Sequence, residues 1–348
     1  MSAPAAPPKR YSRIGLYLPI FALLVLAIGW SIFWYIAATI TGREIGAWIE
    51  REAEDGRIWT CPARRVGGYP FRIEITCNNP SFSGPAAGIP VVGKLGGIHI
   101  VAQIYNPKHM IGEVDGPFDF TLTQDGSHTS VNWKLLQISV RGIPDALQRA
   151  SLAADQVEFT AGVANGRSFS GRADNLQIHV RRGTEEQRAY DFALTSTNTV
   201  SAGLDDATGI SAPATLQLIG TLTQAEAIGG GTIPQLLERW RTAGGSLVLQ
   251  NAALLQGSLN AQGTGTLHID RTHRLEGRID LTASGLAPVL QRYGIAPQLL
   301  DIGGLIGGLL TGRAPAHGPG QIRLPIVFDR GQLGLGPLRG VAQLAPLY

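Results

Sequence analysis

Residues 14–42 have the sequence IGLYLPIFALLVLAIGWSIFWYIAATITG, which contains no charged side chain. This run of 29 residues exceeds the ~20 that a helix needs to cross the hydrocarbon of a bilayer. It therefore predicts one transmembrane helix. The alternative is a cleaved signal peptide, whose apolar region spans only ~7–15 residues. The Ala-Ala-Thr sequence at residues 37–39 offers a weak cleavage site, but the length of the run favours a retained signal anchor.

The charges on either side of the run predict its orientation. Before it lie Lys9, Arg10 and Arg13, and after it Arg43 is followed directly by Glu44. Because positive charge is retained on the cytoplasmic side of a membrane, the N-terminal tail is predicted to be cytoplasmic and everything after the run to be exported. The run thus divides the chain into a cytoplasmic tail (1–13), a transmembrane signal anchor (14–42), a stem helix (43–57) and an exported β-rich domain (58–348), with an internal boundary near 225–245.

The net charge argues against nucleic acid as a partner. The formal charge of +3 and the isoelectric point near 9.0 suggest a basic protein. The tail, however, carries three of the 29 basic residues and none of the 26 acidic ones, so the exported part has 26 of each. An electrically neutral exported part gives no support to nucleic-acid binding.

Cys61 and Cys77 are the two cysteines of the chain, and both follow the predicted anchor. Thiols in an exported compartment are oxidised, so the pair predicts a disulfide. Closing a loop of this size stabilises a fold by roughly 3 kcal/mol in the chain-entropy model. A metal site is the weaker alternative, because no Cys-x-x-Cys sequence or histidine cluster accompanies the pair.

Alternating apolar and polar residues dominate the chain after residue 58. Phe71, Ile73 and Ile75 alternate with polar residues, and from residue 98 onward one such segment follows another, separated by turn residues. This pattern predicts a mainly β (α+β) protein with a long, twisted antiparallel sheet of about fifteen strands. A hairpin is expected around residues 124–126. The same alternation fits an ordinary sandwich core, the simpler interpretation, or a sheet curled into a groove with an apolar floor.

Helices are predicted to be few and short. Beyond the anchor and stem, helical spacing indicates helices at residues 147–154, 233–242, 286–293 and 297–311. The last of these is apolar on nearly every face and contains four glycines, which favours burial against the sheet.

No stretch carries a convincing catalytic or cofactor motif. Residues 88–94 (GIPVVGK) match the start of a phosphate-binding loop, but Leu95 occupies the position where Ser or Thr must hold Mg²⁺. Residues 166–171 (GRSFSG) lack the central serine of a nucleophile elbow, and the seven histidines are scattered. We therefore predict no catalytic residue, no metal site and no cofactor, and expect that the protein is not an enzyme.

Three segments together resemble the domain-of-unknown-function 2125 family of single-pass envelope proteins from Gram-negative bacteria. The most specific is Cys61-Pro62 followed by Gly68-Tyr69-Pro70-Phe71-Arg72 and Cys77; the others are the glycine-rich stretch at 263–270 and the ending from Gly331 to Leu338 with Pro346-Leu347-Tyr348. The resemblance implies a bacterial inner-membrane protein with a cytoplasmic N-terminus and its bulk in the periplasm, and it implies no activity.

Residues 246–283 and the helix after them are also similar to the C-terminal region of the AsmA-like proteins. Those proteins are anchored in the inner membrane, are β-rich in the periplasm and are implicated in envelope assembly and phospholipid movement. The similarity implies a sheet bent into a lipid-holding groove. It supplies no residue as a ligand contact.

Three functions follow as hypotheses. The favoured one is envelope maintenance by a membrane-anchored protein that binds or transfers phospholipid. The second is a scaffold that binds other envelope proteins through its sheet edges. The third, a hydrolase of envelope components, lacks a recognisable nucleophile and base.

The orientation of the anchor can be tested with a fusion. A reporter that is active only in the periplasm, joined after Tyr348, should be active because the three basic residues before the run stay in the cytoplasm. A reporter that works only in the cytoplasm, fused at the same point, should be silent. The reverse result would contradict the predicted topology.

Overall fold

The computed structural model describes residues 14–162, 166, 168–183, 188–293, 321–336 and 338–348. The predicted cytoplasmic tail and the predicted helix at 297–311 lie outside these residues. The described elements are four α-helices and eighteen strands. The helices are α1 (Ile14–Glu54), α2 (Ala202–Thr208), α3 (Ile233–Thr242) and α4 (Ala287–Arg292).

The strands alternate with short turns along the whole chain after α1. In order they are β1 (Ile58–Thr60), β2 (Arg65–Gly67), β3 (Arg72–Asn78), β4 (Ser81–Ala86), β5 (Ile89–Gln103), β6 (Asn106–Leu122), β7 (His128–Asn132), β8 (Leu135–Arg141), β9 (Arg149–Gly162), β10 (Ser168–Arg182), β11 (Tyr190–Ser201), β12 (Ala214–Leu222), β13 (Leu247–Gln256), β14 (Leu259–Ile269), β15 (Leu275–Ser284), β16 (Gln321–Asp329), β17 (Gln332–Leu335) and β18 (Leu338–Gln343).

The first helix is one continuous element of 41 residues. At 1.5 Å per residue it is about 60 Å long, so the residues predicted as anchor and stem form a single rod. Its N-terminal part is long and apolar enough to cross a bilayer. Every side chain from Tyr17 to Ile28 is exposed, and contact with the rest of the protein begins at Trp30.

All eighteen strands belong to one antiparallel sheet, which confirms the predicted fold class. From β9 to β18 each strand pairs with the next one in the chain. Near α1, β3 and β4 share one side of β5, and β7 and β8 share the space between β6 and β9. At about 4.8 Å per strand, this order spans an arc of roughly 70 Å.

Most of the predicted elements are present, and one helix was wrong. The hairpin around residues 124–126 joins β6 to β7, and the helices predicted at 233–242 and 286–293 correspond to α3 and α4. Residues 149–154, predicted as helix, instead open β9. Their apolar members Ala150, Leu152 and Ala154 recur every second residue, which is the period of a strand. The helix α2 was not predicted.

The sheet bends far enough for distant parts of it to touch. The carbonyl of Ala87, at the tip of the β4–β5 hairpin, accepts a hydrogen bond of 3.1 Å from the backbone N–H of Ile233 at the start of α3. A Cβ at Gly88 would lie 2.7 Å from Thr232 Cγ2, and Gly88 has a φ of +87°. Only glycine fits this contact. The connection between β12 and β13 therefore closes over the first hairpins.

A buried glutamine holds α2 to the sheet. Gln256, at the end of β13, is fully buried. Its Nε2 donates hydrogen bonds to the carbonyls of Ile210 (2.8 Å) and Ala212 (3.1 Å), and its Oε1 accepts one from Thr208 (2.8 Å). One side chain thus satisfies most of the polar groups that the α2–β12 connection buries.

Replacing this glutamine with leucine should loosen α2 locally. Gln256→Leu removes the hydrogen bonds that the carbonyls of Ile210 and Ala212 and the carboxylate of Asp205 accept. This loss costs about 3 kcal/mol, so amide exchange at 202–213 should accelerate roughly a hundred-fold. Hydrogen exchange followed by mass spectrometry on the full chain measures this change. Gln262→Leu, on the exposed face of β14, is the matched control. Equal exchange in the two variants would contradict the assigned role.

Candidate functional site

The strand registers align the apolar side chains of the sheet into rows. Residues paired across neighbouring strands lie side by side on one face. One such row crosses twelve strands and contains only apolar residues. Its members are Ile75, Ile100, Gly112, Ile138, Leu152, Ile178, Leu194, Leu218, Ala252, Gly263, Leu281 and Leu324.

A second apolar row runs parallel to the first. It lies two residues away on each strand except β13, where a bulge makes the separation three. It is also apolar throughout and begins one residue after Arg72. Its members are Ile73, Ala102, Met110, Val140, Ala150, Val180, Phe192, Gly220, Leu249, Gly265, Ile279, Ile326 and Leu335. The two rows define the apolar face of the sheet.

The other face of the sheet is polar at the same level. The row between the two apolar rows is mixed and includes Val101, Ile111 and Ile219. The row on the other side of the first apolar row points away from the apolar face and is polar except for two alanines. Its members are Thr76, His99, Glu113, Gln137, Ala153, Gln177, Thr195, Gln217, Ala253, Gln262, Thr282 and Arg323. Along this pair of neighbouring rows, the sheet is therefore apolar on one face and polar on the other.

The apolar face is only partly covered. Most side chains in its two rows are half-buried, and none is fully exposed. Within the described residues, the helices make their main strand contacts with β1, β2, β10 and β11, and all strands belong to one sheet. The structure therefore has a curved sheet with an apolar trough where a sandwich core was the simpler interpretation of the sequence.

An apolar groove of about 500 Å³ lies among the first strands, near the end of α1. Gly93 is paired with Phe82 on one side and Phe120 on the other. Because glycine has no side chain, the floor between the two rings stays open, and a Cβ there would lie 3.4 Å from the ring of Phe118. The lining is Arg57, Trp59, Pro80, Ser81, Phe82, Pro85, Ala86, Ala87, Val91, Gly93, Lys94, Leu95, Ile98, Phe118 and Phe120.

The two cationic side chains of the groove differ in their partners. Arg57 Nε lies 2.6 Å from Glu52 Oε2, and a second guanidinium nitrogen lies 2.7 Å from Asp55. These bonds raise the pKa of Arg57, and the bond from Arg57 lowers the pKa of Glu52. Lys94 is exposed and forms no ion pair among the described residues. The groove is thus apolar with one free positive charge at its edge.

The predicted disulfide is present. Cys61 and Cys77 are bonded, with their Cα atoms 5.7 Å apart. The bond joins the segment after β1 to the end of β3, beside the first apolar rows.

The sequence Gly68–Arg72 forms the loop before β3, which contacts α1. Trp30 Nε1 donates a hydrogen bond of 2.8 Å to the carbonyl of Pro70, and Trp34 Nε1 donates one of 2.9 Å to the carbonyl of Arg72. The sequence singled out this loop but not its partner, since nothing in the residues links it to tryptophans about 40 positions earlier.

A larger polar cavity, of about 700 Å³, lies beside β9, β10 and β11. Exposed side chains of β9, β10 and β11 line it, including Glu158, Arg172 and Asp174. Its acidic and basic groups alternate. Among the described residues, no three His, Cys, Asp or Glu side chains lie close enough together to hold a metal ion.

The most strongly shifted carboxyl group belongs to a structural cluster at the C-terminus. Glu238 on α3 accepts a hydrogen bond of 2.6 Å from Arg241 and another of 2.6 Å from the hydroxyl of Tyr348. The Arg241 bond, followed by the Tyr348 bond, lowers the pKa of Glu238 to about 2. His273 stacks on the ring of Tyr348 at 4.4 Å. This cluster fixes the chain end to α3.

The comparisons with known proteins agree with this architecture. Residues 34–344 match the family model described as an uncharacterized protein conserved in bacteria, DUF2125. The chain belongs to this family. No curated protein matches the chain. The DUF2125 match begins at Trp34, within α1, and extends through β18, so it covers the whole sheet and the Trp34 contact with the helix but not the contacts of Trp30 and Ser31. The similarity to AsmA-like proteins stays a prediction.

The Glu238 cluster predicts a defined pH dependence. Because the pKa is lowered in the folded state, the stabilisation is fully present above about pH 4.5 and is lost as the pH falls towards 2. Glu238→Gln should therefore lower the melting temperature near neutral pH, and its difference from the natural chain should vanish towards pH 2. Glu158→Gln, which removes an exposed carboxyl on β9, is the control. A difference that persists at low pH would contradict the assignment.

Proposed function

We propose that this protein is a non-enzymatic component of the bacterial envelope, anchored in the inner membrane by α1, that holds phospholipid acyl chains along the apolar face of its periplasmic sheet. The observation that carries the proposal is the apolar row that crosses twelve strands without a polar residue. The family match and the long apolar helix are consistent with membrane attachment.

The size of the apolar face supports an apolar ligand. Soluble monomers rarely expose contiguous apolar patches larger than a few hundred Å², and larger ones mark binding surfaces. Each methylene that leaves water for such a surface contributes about 0.8 kcal/mol. An acyl chain lying along the rows would therefore bind strongly without any specific polar contact.

The small residues in the rows support an elongated occupant. Gly112, Ala102, Ala150, Ala252 and Gly263 interrupt the branched side chains at intervals along the rows. A Cβ at Gly112 would meet nothing closer than 3.7 Å. Space of this kind above a sheet suits a thin, flexible chain better than a rigid ring.

The position of the trough relative to α1 supports exchange with the bilayer. The second apolar row begins at Ile73, next to Arg72, whose carbonyl bonds Trp34 of α1. Trp34 lies about 30 Å along the helix from Ile14, which is the hydrocarbon thickness of a bilayer. One end of the trough would thus open at the membrane surface.

A scaffold that binds other envelope proteins is the second candidate. Among the described residues, β18 pairs only with β17, so it offers a free edge for another strand. In this case the apolar face would serve only to stabilise the fold and would bind no ligand.

A single substitution in the trough tests the proposal. Gly112→Leu places an isobutyl group between Ile100 and Ile138, at a position where an added Cβ would meet nothing closer than 3.7 Å. Gln137→Leu adds the same side chain on the neighbouring strand but on the opposite face, and it is the matched control. Phospholipid that co-purifies with the full chain from inner membranes is measured by mass spectrometry.

We expect lipid with the natural chain and the control, and several-fold less with Gly112→Leu. Lipids around α1 contribute equally to all three proteins, so the difference reports the sheet alone. Equal lipid content in all three would contradict acyl-chain binding and favour the scaffold.

A further inference from the structure

The helix α1 is free of the β-rich part over a defined length. Side chains at 17–29 are all exposed, and Trp30 is the first that the rest of the protein half-buries. At 1.5 Å per residue, Trp30 and Trp34 lie about 24 and 30 Å along the helix from Ile14. Since the hydrocarbon of a bilayer is about 30 Å thick, protein contact begins at the depth where the hydrocarbon ends.

At this depth Trp30 and Trp34 hold the loop before β3 against the helix, and we call this set of contacts the clamp. Besides the two indole hydrogen bonds to the loop carbonyls, the hydroxyls of Ser31 and Tyr69 share a hydrogen bond of 2.9 Å. The rings of Trp30 and Phe71 are 6.0 Å apart, and those of Trp34 and Tyr69 meet edge to face at 5.5 Å. The loop therefore has a fixed height on the helix.

The aromatic side chains around this clamp nevertheless remain open to solvent. Tyr69 is 56% exposed and Phe71 62%. Tyr105, in the β5–β6 turn, is 69% exposed, and this turn is tied to the loop by a hydrogen bond of 3.1 Å from Ile104 N–H to the carbonyl of Phe71. Three exposed aromatic rings thus lie together on two connected turns.

We propose that Tyr69, Phe71 and Tyr105 lie in the headgroup layer of the exported leaflet and form a membrane-docking surface that fixes the height of the sheet above the bilayer. Aromatic rings with a polar group are favoured at this level of a membrane. A lipid surface fits better than a protein partner. The helix that contacts these rings continues directly into the apolar segment at residues 17–29, which has no contact with the rest of the described protein.

Cationic groups border the same surface. Arg72 follows Phe71 directly, and Lys108 follows the β5–β6 turn; both side chains are more than half exposed. Each also has one carboxylate nearby, Glu74 and Asp145 respectively. Basic side chains beside exposed rings suit the phosphates of phospholipid headgroups.

This inference rests on α1 as the anchor, which is part of the proposed function, and not on lipid binding by the sheet. It is tested in vesicles of phosphatidylethanolamine and phosphatidylglycerol that carry a nitroxide lipid. The nitroxide is near the headgroup, except for the label at position 24, about 15 Å along the helix from Ile14, where it is deep in the acyl chain. Single cysteines are placed in the full chain at Phe71→Cys, Tyr105→Cys, Leu24→Cys and Leu255→Cys, and are labelled with an environment-sensitive fluorophore while the native disulfide stays closed. Leu255 is exposed at the opposite ends of the strands.

We expect the nitroxide to quench the labels at 71 and 105 several-fold more than the label at 255. Quenching at 24 but not at 71 or 105 would overturn the docking surface and leave the anchor intact. No quenching at 24 would overturn both. The side chain of Tyr105 takes part in none of the hydrogen bonds or ring pairs with α1 described above. Tyr105→Cys therefore preserves the contacts of the loop with α1, even if Phe71→Cys disturbs them.

Discussion

The register of strand pairing is the constraint on which the rest of this structure depends. In a strand, successive side chains point to opposite faces, so a slip of one residue would exchange the apolar and polar rows. Twelve strands keep one register closely enough for a row from Ile75 to Leu324 to remain apolar. The pairing is close enough that, between β14 and β15, a Cβ at Gly265 would lie 2.1 Å from the carbonyl oxygen of Arg278. Glycine at such points lets the backbones approach while the register is kept.

Much of this architecture could be predicted from local patterns. The apolar run at 14–42, the alternation after residue 58 and the pair Cys61 and Cys77 each report on their own surroundings, and the structure has the helix, the strands and the disulfide. Local patterns were misleading where two periods compete. Residues 147–154 contain enough Leu and Ala to suggest a helix, but the apolar residues recur every second position and join the rows of β9.

The candidate site could not be predicted to the same extent, because it consists of relations between distant residues. The sequence of each strand shows which of its residues face the apolar side. It does not show which residues of the neighbouring strand pair with them. The contact between Trp34 and Arg72 depends on how the first turns fold back along α1. The contact between Ala87 and Ile233 depends on the accumulated curvature of several strands. Neither is encoded in a pattern of adjacent residues.

The order of the strands also has a consequence for how the protein is made. Almost every strand pairs with one that precedes it closely in the chain, so contact order is low for an all-β architecture. If the chain crosses the membrane from its N-terminus, each hairpin can pair as soon as it emerges, and the growing sheet always offers an edge to the next strand. Among the described residues, the contacts of Ala87 with Ile233 and of Glu238 with Tyr348 are examples that have to wait for a segment made much later. With the proposed topology, folding can keep pace with export, and the apolar face would grow strand by strand beside the bilayer.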